Sequence, residues 1–264
     1  MHVAHVMGTV ASLDIRGPGD HPAAVAAVVA LLEHVDAKFS TYRPDSEVSR
    51  FSRGELTEAE LSADGRHVLA TCRAVRALSG GAFDAEAHGG YDPSAYVKGW
   101  SGQRAVALLQ QHGATDFFLS VGGDVVVRGG AEPGGFWRVG VQHPALRESM
   151  AAVLGARDLA IATSGLYERG GHITDARTGA VPQGVVSVTV CGPDLGLADA
   201  YSTAAFALGE AGPRWLAAVD GYESFTITTD GRTVATPGFP VLVGDVPVVA
   251  ASADPILASL ARNP

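Results

Sequence analysis

The chain has little cysteine: Cys72 and Cys191 alone among 264 residues, without CxxC or Cys/His metal spacing. A disulfide framework is excluded, and both thiols read as core residues. Basic residues are also scarce, with 19 Lys and Arg against 28 Asp and Glu and a formal net charge of −9. A general nucleic-acid binder needs a basic stripe to neutralise phosphates, so that class is excluded. No run is long and apolar enough to span a bilayer, and Met1-His2-Val3-Ala4-His5-Val6-Met7 lacks the basic start and apolar core of an export signal. A cytoplasmic location is the expectation. Linkers, internal repeats and low-complexity tracts are absent too. With 47% hydrophobic and 18% charged residues, the chain reads as an ordinary globular protein that can bury one large core or two fused lobes.

What is present alternates between strand and helix signals. Residues 3–16 read as one strand, and Asp20 with Pro22 opens a helix to about Lys38. Val25, Val28, Val29, Leu32 and Val35 give that helix an apolar face. Further helices are expected over 62–78, 100–112 and 198–208, and a short helical turn over 46–51. Strands are expected over 117–121, 125–128, 136–142, 159–163 and 185–191, with a 224–236 hairpin hinged on Asp230-Gly231. Strands and helices intermix without a βαβ period, which favours α+β over a doubly wound sheet.

Chemistry concentrates in residues 162–203. Asp199 and Thr203 stand four apart near the start of a helix, so their oxygens share a face and can hold a hard cation. An Asp in a first helical turn is equally a dipole partner, and Thr203 can bond its own backbone. His172, among glycines ahead of Asp175-Ala176-Arg177-Thr178-Gly179, has the pKa range of a general base, with Arg177 placed to balance phosphate charge. A loop histidine bonded to backbone is the plainer alternative. Gly122-Gly123-Asp124 and Ala162-Thr163-Ser164-Gly165 each follow an apolar strand as small-residue turns whose amides and hydroxyls can hold anionic oxygens. Lys98 is placed at the mouth of the 100–112 helix, beside its positive end.

Together with Met7-Gly8-Thr9, the 42–51 loop, Gly81-Ala82-Phe83-Asp84, Asp92 to Trp100 with Arg104, and Trp137 to Pro144, these blocks resemble the ApbE family of flavin transferases. The resemblance spans nearly the whole chain. It implies a single two-lobed, T-fold-like α+β domain with mixed sheets and flanking helices. It also implies an enzyme that cleaves FAD with Mg²⁺ and passes FMN to a threonine hydroxyl of a target flavoprotein, releasing AMP. Some members mainly hydrolyse FAD, and a non-catalytic FAD-binding protein is a further alternative.

Carried over by position, the resemblance makes Asp199, Thr203 and the Val97 carbonyl the Mg²⁺ ligands, and His172 the base. Tyr42 would line the adenine side, Lys98 and Thr163-Ser164-Gly165 the phosphates, and Gly122-Gly123-Asp124 the nucleotide. The sequence departs from the family at Ser94-Ala95-Tyr96-Val97-Lys98-Gly99, where Gly-Gly-Ile-Ala-Lys-Gly is common, and at Ala176, where Pro is common. Tyr96 is therefore expected to narrow the pocket or alter flavin placement. Finally, Asp230-Gly231-Arg232-Thr233-Val234-Ala235-Thr236 resembles the D-G-x-T-[SG]-A-T motif of the family's protein targets. Self-flavinylation at Thr236 or pseudo-substrate occupancy of the acceptor site is one reading, and an ordinary Asp-Gly hairpin, which is favoured, the other.

Overall fold

The computed structural model describes residues 1–146, 148–166 and 173–241. Eight strands form one sheet in the order β1 (His2–Val6), β2 (Thr9–Arg16), β3 (Asp116–Val121), β4 (Asp124–Arg128), β7 (Leu159–Gly165), β8 (Val185–Gly192), β9 (Glu223–Thr228), β10 (Thr233–Ala235). A second sheet pairs β5 (Trp137–Gln142) with β6 (Met150–Ala156). Every pair is antiparallel, so the expected mixed sheets resolve into antiparallel ones within an α+β fold.

The helices are α1 (His21–Phe39), α2 (Glu47–Ser52), α3 (Ala63–Leu78), α4 (Ser94–Gln111), α5 (Leu195–Ala207) and α6 (Gly212–Leu216). Local signals set their ends. The Asp20 side chain accepts from the Ala23 amide and Ser62 from Gly65, each satisfying an amide that a first turn leaves unpaired. Ala24, Val28, Leu32, Val35 and Phe39 form the buried stripe of α1.

Two apolar cores lie on opposite faces of the large sheet. One joins α1, α3, α4 and α5 to Leu119, Val121, Val126, Ala160, Ala162, Val188 and Val190. The other packs β5 and β6 against Val125, Val127, Ile161, Val186, Phe225 and Ile227. All eight residues of β8 are buried, as befits a strand covered on both sides. Cys72 and Cys191 are free and buried, and burial pushes both thiols up to about 12.

Several elements differ from the sequence reading. Residues 3–16 are a hairpin, not one strand: Met7 and Gly8 take φ of 57° and 67°, the two-residue turn that suits strand twist. Helix α4 begins at Ser94, six residues before Trp100. Strand β6, with its small-residue run Met150-Ala151-Ala152-Val153-Leu154, carried too weak a β signal to be expected.

Candidate functional site

The early start of α4 changes the position of Lys98. It lies in the second turn and not at the helix mouth, so the dipole argument for it fails and its partners are side chains. Its Nζ lies 2.8 Å from Asp124 Oδ2 and 3.7 Å from Asp199 Oδ1. Both carboxylates are almost wholly buried, at 1% and 3% exposure.

Asp124 reaches this place through the Gly122-Gly123 turn. Those glycines take φ of 57° and 90°, closing a two-residue hairpin that leaves Asp124 as the first residue of β4. Asp124 does not bond within its own turn, since its Oδ1 accepts from the Thr163 amide of β7 at 3.3 Å. Burial pushes the Asp124 carboxyl above its ordinary value, and the Lys98 ammonium pulls against that shift. A Cβ at Gly122 would stand 2.9 Å from Thr9 Oγ1 and 3.4 Å from Lys98 Cδ, so the β1–β2 hairpin borders the site. Met7 of that hairpin accepts a bond from Ser101 Oγ of α4 at 3.7 Å to Sδ.

Asp199 arrives on α5, which begins at Leu195 with Asp194 as its cap. Glycines allow α4 and α5 to touch. A Cβ at Gly99 would collide with the Leu195 carbonyl oxygen and lie 2.8 Å from Asp199 Cβ. That close approach lets the Gly99 amide donate to Asp199 Oδ2 at 3.0 Å.

Residues 162–165 are the end of β7 and not a turn. Period-two alternation therefore splits Thr163 from Ser164. Ser164 Oγ meets α5, 2.9 Å from Ser202 Oγ and 3.2 Å from Thr203 Oγ1. Thr163 Oγ1 pairs instead with Thr189 Oγ1 on β8 at 2.9 Å. Ser202 in turn donates to the Asp199 carbonyl at 2.9 Å.

The fold thus gathers Val97, Lys98, Gly122, Gly123, Asp124, Thr163, Ser164, Gly165, Asp199 and Thr203 around the meeting of α4, α5, β4 and β7. The Arg177 side chain has its Cγ 3.5 Å from the Cβ position of Gly81 and its guanidinium 2.6 Å from Asp175. Tyr42 is 90% exposed in the loop after α1. His172 lies outside the described residues. Thr9, Thr189 and Ser202 were missed as site residues by sequence reasoning. Ser202 adjoins Thr203, and only the β7–β8 register reveals Thr189.

The Tyr96 hydroxyl lies 3.2 Å from His67 Nε2, and its ring packs on α5 at Gly196, where a Cβ would stand 2.8 Å from Tyr96 Cε2. There a cavity of 290 Å³ is lined by His67, Tyr96, Trp100, Gln103, Arg104 and Asp194. Its polar groups bind one another or neighbours: Arg104 pairs with Asp64 and stacks over Trp100, and Gln103 accepts from the Leu195 amide.

Among the described residues no three His, Cys, Asp or Glu side chains gather in a metal cluster. The oxygens gathered here are the Asp124 and Asp199 carboxylates and the hydroxyls of Ser164, Ser202 and Thr203, a set suited to a hard cation and not to a thiophilic one.

An α+β architecture with one large antiparallel sheet, helices on one face and a ribbon on the other is thus joined to a site of two buried carboxylates, a partly exposed lysine and hydroxyls. The chain belongs to the ApbE family, whose model matches residues 7–89 and 87–226. It is similar to the FAD:protein FMN transferase of Rhodobacter capsulatus, 34% identical over 82% of this chain and 40% of that protein. The FAD:protein FMN transferase of Haemophilus influenzae is 27% identical over 69% of this chain and 72% of its own length. In structure the chain resembles the flavin transferase ApbE from Vibrio cholerae, with a TM-score of 0.79, 24% identity, and coverage of 90% and 97% of the two chains.

Proposed function

We propose that this protein transfers FMN from FAD to a threonine hydroxyl of a target flavoprotein, with Mg²⁺, releasing AMP. The observation that carries this reading is the pairing of the partly exposed Lys98 with the buried Asp199 carboxylate beside the Ser164–Thr203 hydroxyls, in a chain whose relatives are named FAD:protein FMN transferases.

The residues fit a magnesium ion. Asp199 supplies a buried carboxylate already oriented by the Gly99 amide, and Thr203 a hydroxyl oriented by Ser164. The Val97 carbonyl would be the third ligand, on the α4 turn that abuts α5. When bound, Mg²⁺ neutralises pyrophosphate oxygens and so favours departure of AMP.

In this mechanism Lys98 pairs with a phosphate oxygen of FAD, and the Gly122-Gly123 turn allows close approach of the nucleotide. Gly165 and the backbone near Thr163 border the phosphates, while Tyr42 covers the adenine and Arg177 adds charge at the rim. His172 takes the proton of the incoming threonine as its oxygen bonds to the FMN phosphorus. The bond from that phosphorus to the AMP phosphate oxygen breaks, and the electron pair leaves with AMP.

Incubation with FAD and Mg²⁺, with and without a protein bearing a D-G-x-T-[SG]-A-T segment, tests the reading. Acceptor-dependent AMP release with a mass gain of one FMN on the acceptor is the expected result. AMP release at the same rate without acceptor would make the protein an FAD pyrophosphatase, and no release would leave a flavin binder.

A further inference from the structure

The Lys98 ammonium is shared by two buried carboxylates, and the other oxygen of each is held by a backbone amide. Asp124 Oδ1 accepts from Thr163 and Asp199 Oδ2 from Gly99, so Asp124 Oδ2 and Asp199 Oδ1 are the oxygens turned to Lys98. We infer that Lys98 is a built-in counter-ion at Asp199, and that Asp124 draws its ammonium aside when a divalent cation binds there. This inference rests on the reading of Asp199 as a metal ligand.

The distances are unequal in the direction the idea needs: 2.8 Å to Asp124 and 3.7 Å to Asp199. A cation entering at Asp199 Oδ1 meets a like charge close by, in a partly buried setting where repulsion is screened less than in bulk water. A lysine carries its charge on a flexible four-carbon stem, so the ammonium can close fully onto Asp124 and remain paired. Gly122 keeps the space beside that stem open. Neutralising Asp124 leaves Asp199 as the cluster's carboxylate, and Lys98 then competes with the cation for it. Asp124 is accordingly a positioning residue that sets metal affinity through Lys98.

The test is Mn²⁺ binding by calorimetry, without FAD, to the wild type, Lys98→Met, Asp124→Asn and the double variant. Lys98→Met should bind Mn²⁺ several-fold more tightly. Asp124→Asn should weaken binding by about tenfold when Lys98 is present and by less than about twofold in the Lys98→Met background, the non-additivity expected of coupled neighbours. Equal weakening in both backgrounds would mean that Asp124 acts only through its charge, and would overturn the inference. Mn²⁺ binding unaffected by Asp199→Asn is a separate result that removes the metal-site reading itself. Should the buried substitutions unfold the chain, the unsubstituted protein still decides. Its lysines are Lys38 and Lys98, so ¹³C-lysine labelling gives one Cε signal from each. Saturating Mg²⁺ should shift the Lys98 signal and leave Lys38 in place, and an unmoved Lys98 signal counts against the inference.

Discussion

The amide of Gly99 donates to Asp199 Oδ2 at 3.0 Å, joining α4 to α5 across one hundred residues of sequence. A β-carbon at residue 99 has no room, because the Leu195 carbonyl oxygen and Asp199 Cβ occupy its place. Gly99→Ala should therefore destabilise the protein by about 1–3 kcal/mol, an overpacking cost that outweighs alanine's better helix propensity. Urea denaturation measures this, and a variant as stable as the wild type would contradict the close helix contact.

Ser164→Ala removes the hydroxyl that meets both Ser202 and Thr203. The lost bonds should cost about 1 kcal/mol of stability. The orientation of Thr203 should suffer more, so the Mg²⁺ concentration for half-maximal turnover should rise while the KM for FAD changes little. Titrating Mg²⁺ at saturating FAD checks the split.

Asp175 gives a pH-dependent prediction. The Arg177 guanidinium, at 2.6 and 2.8 Å, holds its carboxyl below the ordinary 3.8. A folded-state value below the unfolded one stabilises above the unfolded pKa, and the stabilisation is lost as pH falls through the folded value. Asp175→Asn should be less stable than the wild type at pH 7 by about 0.5 kcal/mol, since Arg177 is half exposed. The gap should close as the pH drops below 3.8. A difference independent of pH would assign the effect to the backbone bond from Arg177 N.

The Asp230–Thr236 segment should stay unmodified. Asp230 accepts from Thr228 Oγ1 and Arg232 Nε to close the turn, and Gly231 takes a φ of 80°. Thr236 Oγ1 accepts from the Ser224 amide at 2.8 Å, which occupies the hydroxyl a flavin phosphate would need. Asp230, Gly231, Arg232 and Thr236 thus each have a structural task in the β9–β10 hairpin. Intact mass after incubation with FAD and Mg²⁺ should be unchanged, and a gain of one FMN would revive self-modification.

Much of this fold was legible because its signals are local. Asp20 and Pro22 start α1, Ser62 starts α3, and Asp230-Gly231 marks its hairpin without reference to anything distant. The signals failed where two local patterns compete. Ser94-Ala95-Tyr96 follows a proline and reads as loop, yet packing of Tyr96 and Val97 into the core extends α4 through it. Met7-Gly8 sits in an apolar run that masks a tight turn.

By itself the sequence determined the class of fold, the residue types of the site and the family they resemble, since these depend on composition, periodicity and short motifs. Only the tertiary structure decided which of those residues meet. It turned Lys98 from a helix mouth to a pair of buried carboxylates, set the Tyr96 hydroxyl against His67, and parted Thr163 from Ser164 across the sheet. The physical reason is that helix phase and strand pleat direct side chains in space, while partners such as Gly99 and Asp199 are chosen by packing between segments far apart in the chain.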